Sequence, residues 1–238
     1  MWVGGMGLCL LLQLAGGCRS AEPSPAADPA VVTPPVPPAP PVDEPPQPGL
    51  ARQTLDEGTA AISRGEYRSG LELCEQALLH AGGDDELRAE AYRWLIHGAV
   101  QDRDPERALT YFEPAIELLP NDAWIRYSEG VALGTVGRFE EAIEALGEAL
   151  RIDPTQVKAL QWRAQYQYET LEYAGAIADC TRMLEVLEET TDATLAGWGG
   201  NRGALVRDTL EIRAGCYDAS GQHDLARQDR ERRLLSDG

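Results

Sequence analysis

The sequence predicts an all-α chain built from stacked pairs of helices, and three observations predict it. The composition breaks near residue 50: 12 of the 16 prolines lie between Pro23 and Pro48. Beyond them Ala, Leu, Glu and Arg dominate, all good helix formers. Phe occurs only twice and β-branched runs are few, which disfavours extensive sheet. Third, residues 123–156 carry small residues (Gly130, Ala142, Ala149), a turn glycine (Gly137), an aromatic opening the next helix (Phe139) and a closing Pro154. This pattern recurs on both sides at a period of about 34 residues.

In chain order, residues 1–17 are almost wholly apolar around Leu8, Leu10, Leu11, Leu12 and Leu14, and five of them are glycine. A transmembrane helix needs about 20 apolar residues, so a secretory signal peptide fits the run better. It ends Leu14-Ala15-Gly16-Gly17-Cys18, which resembles a bacterial lipoprotein signal. The resemblance implies cleavage before Cys18, lipidation of Cys18 and attachment to a membrane. Arg19, where an inner-membrane retention signal has Asp, favours the outer membrane, facing the periplasm. The chain departs from that pattern in having no Lys or Arg before Cys18 and Ala15 where Leu is usual. A plain cleaved signal, an uncleaved anchor and a cytoplasmic chain stay open as alternatives.

Residues 18–49 then read as the lipidated cysteine and a proline-rich disordered tether. Proline removes backbone donors and fixes φ, so neither helix nor core is expected there. At about 3.1 Å per residue the fully extended segment reaches roughly 80–90 Å. A spacer between anchor and folded domain is the expected role. The alternative is a ligand for a proline-recognising domain, through Pro34–Pro41.

The folded domain is expected over 51–238. In the first unit, 51–84, Gly58 and Ala61 lie in the first helix, Gly65 at the turn, and Tyr67, Gly70, Leu71, Cys74, Ala77 and Leu78 along the second. Gly82-Gly83 closes it and a four-residue insertion shifts the frame. The second unit, 89–122, has an apolar face of Tyr92, Leu95, Ile96 and Ala99, with Ile96 where a small residue is expected. Asp104-Pro105 marks a helix start, and Pro114 is expected to kink that helix at a cost of about 3 kcal/mol unless compensated. The third unit is 123–156. The fourth, 157–190, keeps Ala164, Tyr173, Ala176, Ile177, Cys180 and Leu184 in register, but Leu171 replaces the turn glycine. A fifth unit, 207–238, follows a glycine-rich connection. It keeps Ala214, Cys216, Tyr217, Gly221 and Ala226, and its second helix carries Arg230 and Arg233 where apolar residues belong, as a terminal cap does. Together these residues resemble the tetratricopeptide repeat family across 51–238.

That resemblance implies a helical solenoid that binds a protein or peptide client in a groove lined by the first helix of each unit. Register places there Arg52, Leu55 and Thr59, then Arg93 and His97, then Trp124, Tyr127 and Val131. Lys158, Gln161, Gln165 and Tyr168 follow, and Asp208 and Glu211 close the series. Trp124 and Tyr127 share one helical face beside Lys158 and two glutamines, a composition suited to a binding hot spot. The alternative is that both aromatics pack against the neighbouring repeat. Trp198 is a loop aromatic, either tucked under the last repeat or presented to a partner. These helices contain no Asn, which disfavours the two-carboxylate clamp of chaperone-binding members.

The formal net charge of -18, from 39 acidic and 21 basic residues, repels phosphate backbones, so nucleic acid is disfavoured as a partner. Cys9, Cys18, Cys74, Cys180 and Cys216 make no metal-ligand spacing with His80, His97 or His223. Cys74, Cys180 and Cys216 read as small buried hydrophobes, with a Cys180–Cys216 disulfide left open. No GxSxG, HExxH or phosphate-cradling Gly-Lys-Ser/Thr motif is present. No enzyme activity, cofactor, metal or small-molecule substrate is expected. The function implied is a membrane-anchored interaction scaffold or assembly adaptor of the bacterial cell envelope. The alternative is a soluble or inner-membrane-tethered adaptor or co-chaperone without a lipid anchor.

Overall fold

A computed structural model describes residues 46–191 and 201–235. The signal segment, Cys18, all but the last residues of the tether, and Trp198 lie outside the described residues. Ten helices occur among the described residues: α1 Pro48–Ser63, α2 Tyr67–Ala81, α3 Asp85–Gln101, α4 Pro105–Leu118, α5 Ala123–Thr135, α6 Phe139–Ile152, α7 Val157–Glu169, α8 Tyr173–Glu189, α9 Arg202–Ala219 and α10 His223–Leu235. Each packs on its neighbours in sequence. The first helices of successive pairs also touch one another (α1 with α3, α3 with α5, α5 with α7, α7 with α9), so they form one continuous face. The fold is an all-α helical repeat.

Each pair turns in the same way, and the backbone shows why the period is legible. The turn residues Gly65, Arg103, Gly137, Leu171 and Gly221 have φ of 83°, 60°, 81°, 65° and 77°. The residue after each donates its N–H back to a carbonyl five positions earlier: Glu66 to Ala61 at 3.0 Å, Asp104 to Ala99 at 3.0 Å, Arg138 to Leu133 at 3.0 Å, Glu172 to Gln167 at 2.7 Å, and Gln222 to Tyr217 at 2.7 Å. This is a Schellman closure, which satisfies the last carbonyls of the first helix and requires a left-handed residue at its centre. Three units supply glycine. Arg103 and Leu171 hold the same conformation with a Cβ, at a cost of about 1 kcal/mol each. Leu171 is 68% exposed, so its side chain recovers little by packing. Leu171→Gly is therefore expected to raise stability by about 0.5–1 kcal/mol, read as a higher urea midpoint with unchanged helicity. A lower midpoint would contradict the strain.

The hairpins close on small residues. Ala108, Ala142, Ala176 and Ala226 are fully buried at one register position, where the first unit has the buried Gly70. In the third unit a Cβ on Gly130 would meet Leu146 Cγ at 2.6 Å and the Ala142 carbonyl at 3.0 Å, so α5 and α6 meet backbone to side chain.

The structure moves several boundaries. α1 begins at Pro48, inside the stretch assigned to the tether, because proline suits the first turn of a helix. The four-residue insertion before the second unit is one more turn of helix: α3 has 17 residues where α5 has 13. Asp84 caps it, accepting the Leu87 N–H at 3.0 Å. The fifth unit begins at Arg202, five residues before its expected start, with Asn201 accepting the Ala204 N–H at 3.0 Å. α4 runs through Pro114 as a single helix. α10 is mostly exposed, in keeping with a terminal cap.

Candidate protein-binding groove

The face shared by α1, α3, α5, α7 and α9 carries the residues that register assigned to the groove, and its centre is aromatic. Asp122 fixes the start of α5, accepting the Trp124 and Ile125 N–H groups at 2.9 and 3.2 Å. Trp124 then stands 37% exposed in the first turn. Tyr127, one turn on, is half-buried against the core cluster containing Leu133 and Leu146. Burial pushes its ionisation above the usual phenol range. Tyr127 thus packs between repeats while Trp124 stays accessible.

α7 completes this centre. Lys158 is exposed, Gln161 and Gln165 are half-exposed, and Gln165 donates to Glu169 at 2.9 Å. Trp162, which register reasoning missed, is also 37% exposed and stacks on Tyr166 at 5.6 Å, as Tyr166 does on Phe139 at 5.5 Å. Its signal was present: Trp162 stands four residues after Lys158 and so shares its helical face. Val131 is half-buried nearby, and Tyr168 meets Tyr173 edge-on at 5.8 Å.

The outer groove positions behave differently. Arg52 binds Glu90 of the next unit at 2.5 Å, and Arg93 binds Asp122, again one unit on. These guanidiniums tie adjacent repeats together. Lys158 makes no ion pair among the described residues. His97 lies edge-on to Trp94 at 5.8 Å. Leu55 is a correction: it is fully buried in the core cluster that holds Leu87 and Ala91, because the added turn of α3 covers it. Thr59 donates to the Asp56 carbonyl at 3.0 Å, Asp208 is exposed, and Glu211 pairs with Arg233 at 2.8 Å.

Two buried ion pairs were not foreseen. Arg163 grips both Asp179 oxygens at 2.7 and 2.6 Å, and Arg213 grips both of Asp229 at 2.7 Å. Each joins the two helices of one unit, 16 residues apart, and that repeated spacing is the sequence signal for them.

The arrangement suits non-covalent recognition: aromatic faces, amides and an exposed Lys158 that makes no ion pair among the described residues. Cys74, Cys180 and Cys216 are buried free thiols, so the disulfide left open between Cys180 and Cys216 is not formed. Burial pushes Cys74 up to about 12 and Cys216 up to about 11, with Cys180 shifted the same way, so none is a nucleophile at neutral pH. Among the described residues no group of three or more His, Cys, Asp and Glu is placed to hold a metal, and no helix is long and apolar enough to cross a membrane.

Residues 99–161, which take in most of the second unit, all of the third and the first residues of the fourth, match the tetratricopeptide repeat family. The chain is a tetratricopeptide repeat protein. Over 73 residues it is 44% identical to an uncharacterized protein of Methanocaldococcus jannaschii, spanning 29% of this chain and 83% of that one. Over 120 residues, half of this chain, it is 32% identical to the protein STIP1 homolog of Dictyostelium discoideum, and it spans 21% of that protein's length. Among solved structures, a crystal structure of MamA superposes with a TM-score of 0.67 at 15% identity, covering 80% of this chain and 93% of that one. BtubC from P. vanneervenii superposes with a TM-score of 0.62 at 19% identity, covering 79% and 80%. At these identities the structural likeness establishes the repeat fold alone.

Proposed function

We propose that this chain is a membrane-anchored scaffold or assembly adaptor of the bacterial cell envelope, held through lipidated Cys18 and binding its client in the groove centred on α5 and α7. The observation that carries the groove is the exposure of Trp124 and Trp162 on neighbouring first helices beside Lys158, which makes no ion pair among the described residues. Large aromatics next to a cation and amides provide binding energy at little cost in side-chain entropy. The Leu14–Cys18 run supports the anchor, and the outer membrane, facing the periplasm, is the proposed site. The proline-rich stretch before α1 serves as spacer.

One experiment in host cells fed a labelled fatty acid tests both halves. The label is expected in the wild-type chain and absent from Cys18→Ala. Cross-linked capture is expected to recover a client with the wild-type chain and to lose it with Trp124→Ala/Lys158→Ala, a change of about 2 kcal/mol or roughly thirtyfold in affinity. Circular dichroism verifies folding of each variant. Undiminished capture by the double variant moves the client off the groove, and a chain without label has no lipid anchor.

A further inference from the structure

The described chain enters the solenoid at one edge, and the same edge holds a depression that adjoins the groove at Arg93 and Trp124. Pro46 packs on the turn between α2 and α3: a Cβ on Gly82 would lie 2.6 Å from Pro46 Cβ and 2.7 Å from its Cγ. The Gln47 N–H donates to the His80 carbonyl at 3.1 Å. The chain before residue 46 therefore leaves beside an inter-unit turn.

The next two inter-unit turns, Leu118–Ala123 and Ile152–Gln156, line an open depression of ≈ 590 Å³. Its wall includes Leu119, Pro120, Trp124 and Ile152, with Arg93 and Asn121 among its polar residues. Its charges are already satisfied within the fold. Asp122 accepts backbone N–H groups and binds Arg93, and Asp153 accepts the Thr155 N–H at 3.0 Å. Gln156 is the exception: its Oε1 is buried and has no donor. An uncharged apolar ligand able to offer an occasional N–H matches this surface.

The chain supplies such a segment next door. Residues 34–42 read PPVPPAPPV, with no charge and with N–H donors only at Val36, Ala39 and Val42. Proline-rich sequence docks on aromatic side chains with little loss of entropy, since its φ is preset. From Pro46 back to Val42 is about 12 Å of extended chain, and neighbouring helices pack about 8–10 Å apart, so the segment reaches the first of the two turns. We propose that Pro34–Val42 docks on this depression of its own chain, laying proline rings on Trp124 and donating a backbone N–H to Gln156 Oε1. The proposal does not depend on the client, and shares Arg93 and Trp124 with the groove.

Benzoylphenylalanine at position 39 of the full chain tests it, by irradiation in dilute solution and peptide mapping. Adducts are expected at 118–124 and 152–156, with yields at least threefold lower in Trp124→Ala and in Gln156→Ala, each verified as folded by circular dichroism. Adducts without preference for these turns, or yields unchanged in both variants, would overturn the docking. An equal mixture of isotopically light and heavy chains separates a second copy: adducts joining light to heavy make the occupant another chain and also overturn it. Because the cross-link is read on the isolated chain, its failure leaves the client reading standing.

Discussion

Tryptophan in place of Ala142 is expected to destabilise the fold by about 3 kcal/mol or more. Ala142 is fully buried where α6 crosses α5. The facing residue is Gly130, and even a methyl group there would meet Leu146 Cγ at 2.6 Å and the Ala142 carbonyl at 3.0 Å. No rotamer of an indole fits between backbones already this close. The helices must separate, and separation propagates because α5 also packs on α4 and α7, and α6 on α7. In a repeat array the interface between units contributes as much as the unit itself, so loosening a central hairpin weakens both neighbours. Urea denaturation followed by circular dichroism measures the effect, with Ala142→Ser as a control that keeps the volume nearly constant. A Trp variant melting with the wild type would mean that α5 and α6 do not meet at this position, and the register of every unit would shift with it.

The same residues explain why the fold was legible and the site only partly so. Gly65, Gly137 and Gly221 announce their turns because a left-handed residue without a Cβ is what the closure prefers. Leu171 was found by counting, and its φ of 65° puts a residue with a Cβ in the left-handed region. Arg103 escaped notice: arginine carries no turn signal, and the insertion at Asp85–Arg88 had displaced the frame. The insertion is helical because Asp84 caps it and Asp85 and Glu86 lie in its first turn, where a helix favours acidic residues. The added turn in turn hid Leu55 from the groove. Register put Trp124 and Tyr127 on the first helix of the third unit and Lys158 on that of the fourth, where α5 and α7 carry them, since side-chain direction follows from helical period alone. It did not reveal that Arg52 and Arg93 are consumed by Glu90 and Asp122, because those partners lie 38 and 29 residues away. Partner choice across repeats depends on how the units stack, which a single repeat's sequence does not encode.

Asp229→Ala is expected to release the last helix. α10 buries chiefly Ala226 and Asp229, and its arginines otherwise make exposed pairs such as Arg230 with Asp218 and Arg232 with Glu188, each worth little. Against these, Arg213 holds Asp229 through two bonds of 2.7 Å, with side chains only 13% and 8% exposed, and also donates to Thr181 of α8 at 3.1 Å. Removing the carboxylate leaves a largely buried guanidinium without its anion, a loss of about 3–5 kcal/mol. The third-helix contact with Thr181 means that Arg213 also joins the fifth unit to the fourth. At the end of an array such a loss is met locally, by opening of the terminal helix before the rest unfolds. Hydrogen exchange should therefore show lost protection across 223–235 while α1 to α8 keep theirs. The paired change Arg213→Leu/Asp229→Leu should restore most of the protection, since two apolar side chains leave no charge stranded. Protection in Asp229→Ala equal to the wild type would show that Ala226 and the exposed pairs suffice to hold α10. Failure of the double variant to recover would place the stabilisation in Arg213's bond to Thr181 instead of its pair with Asp229.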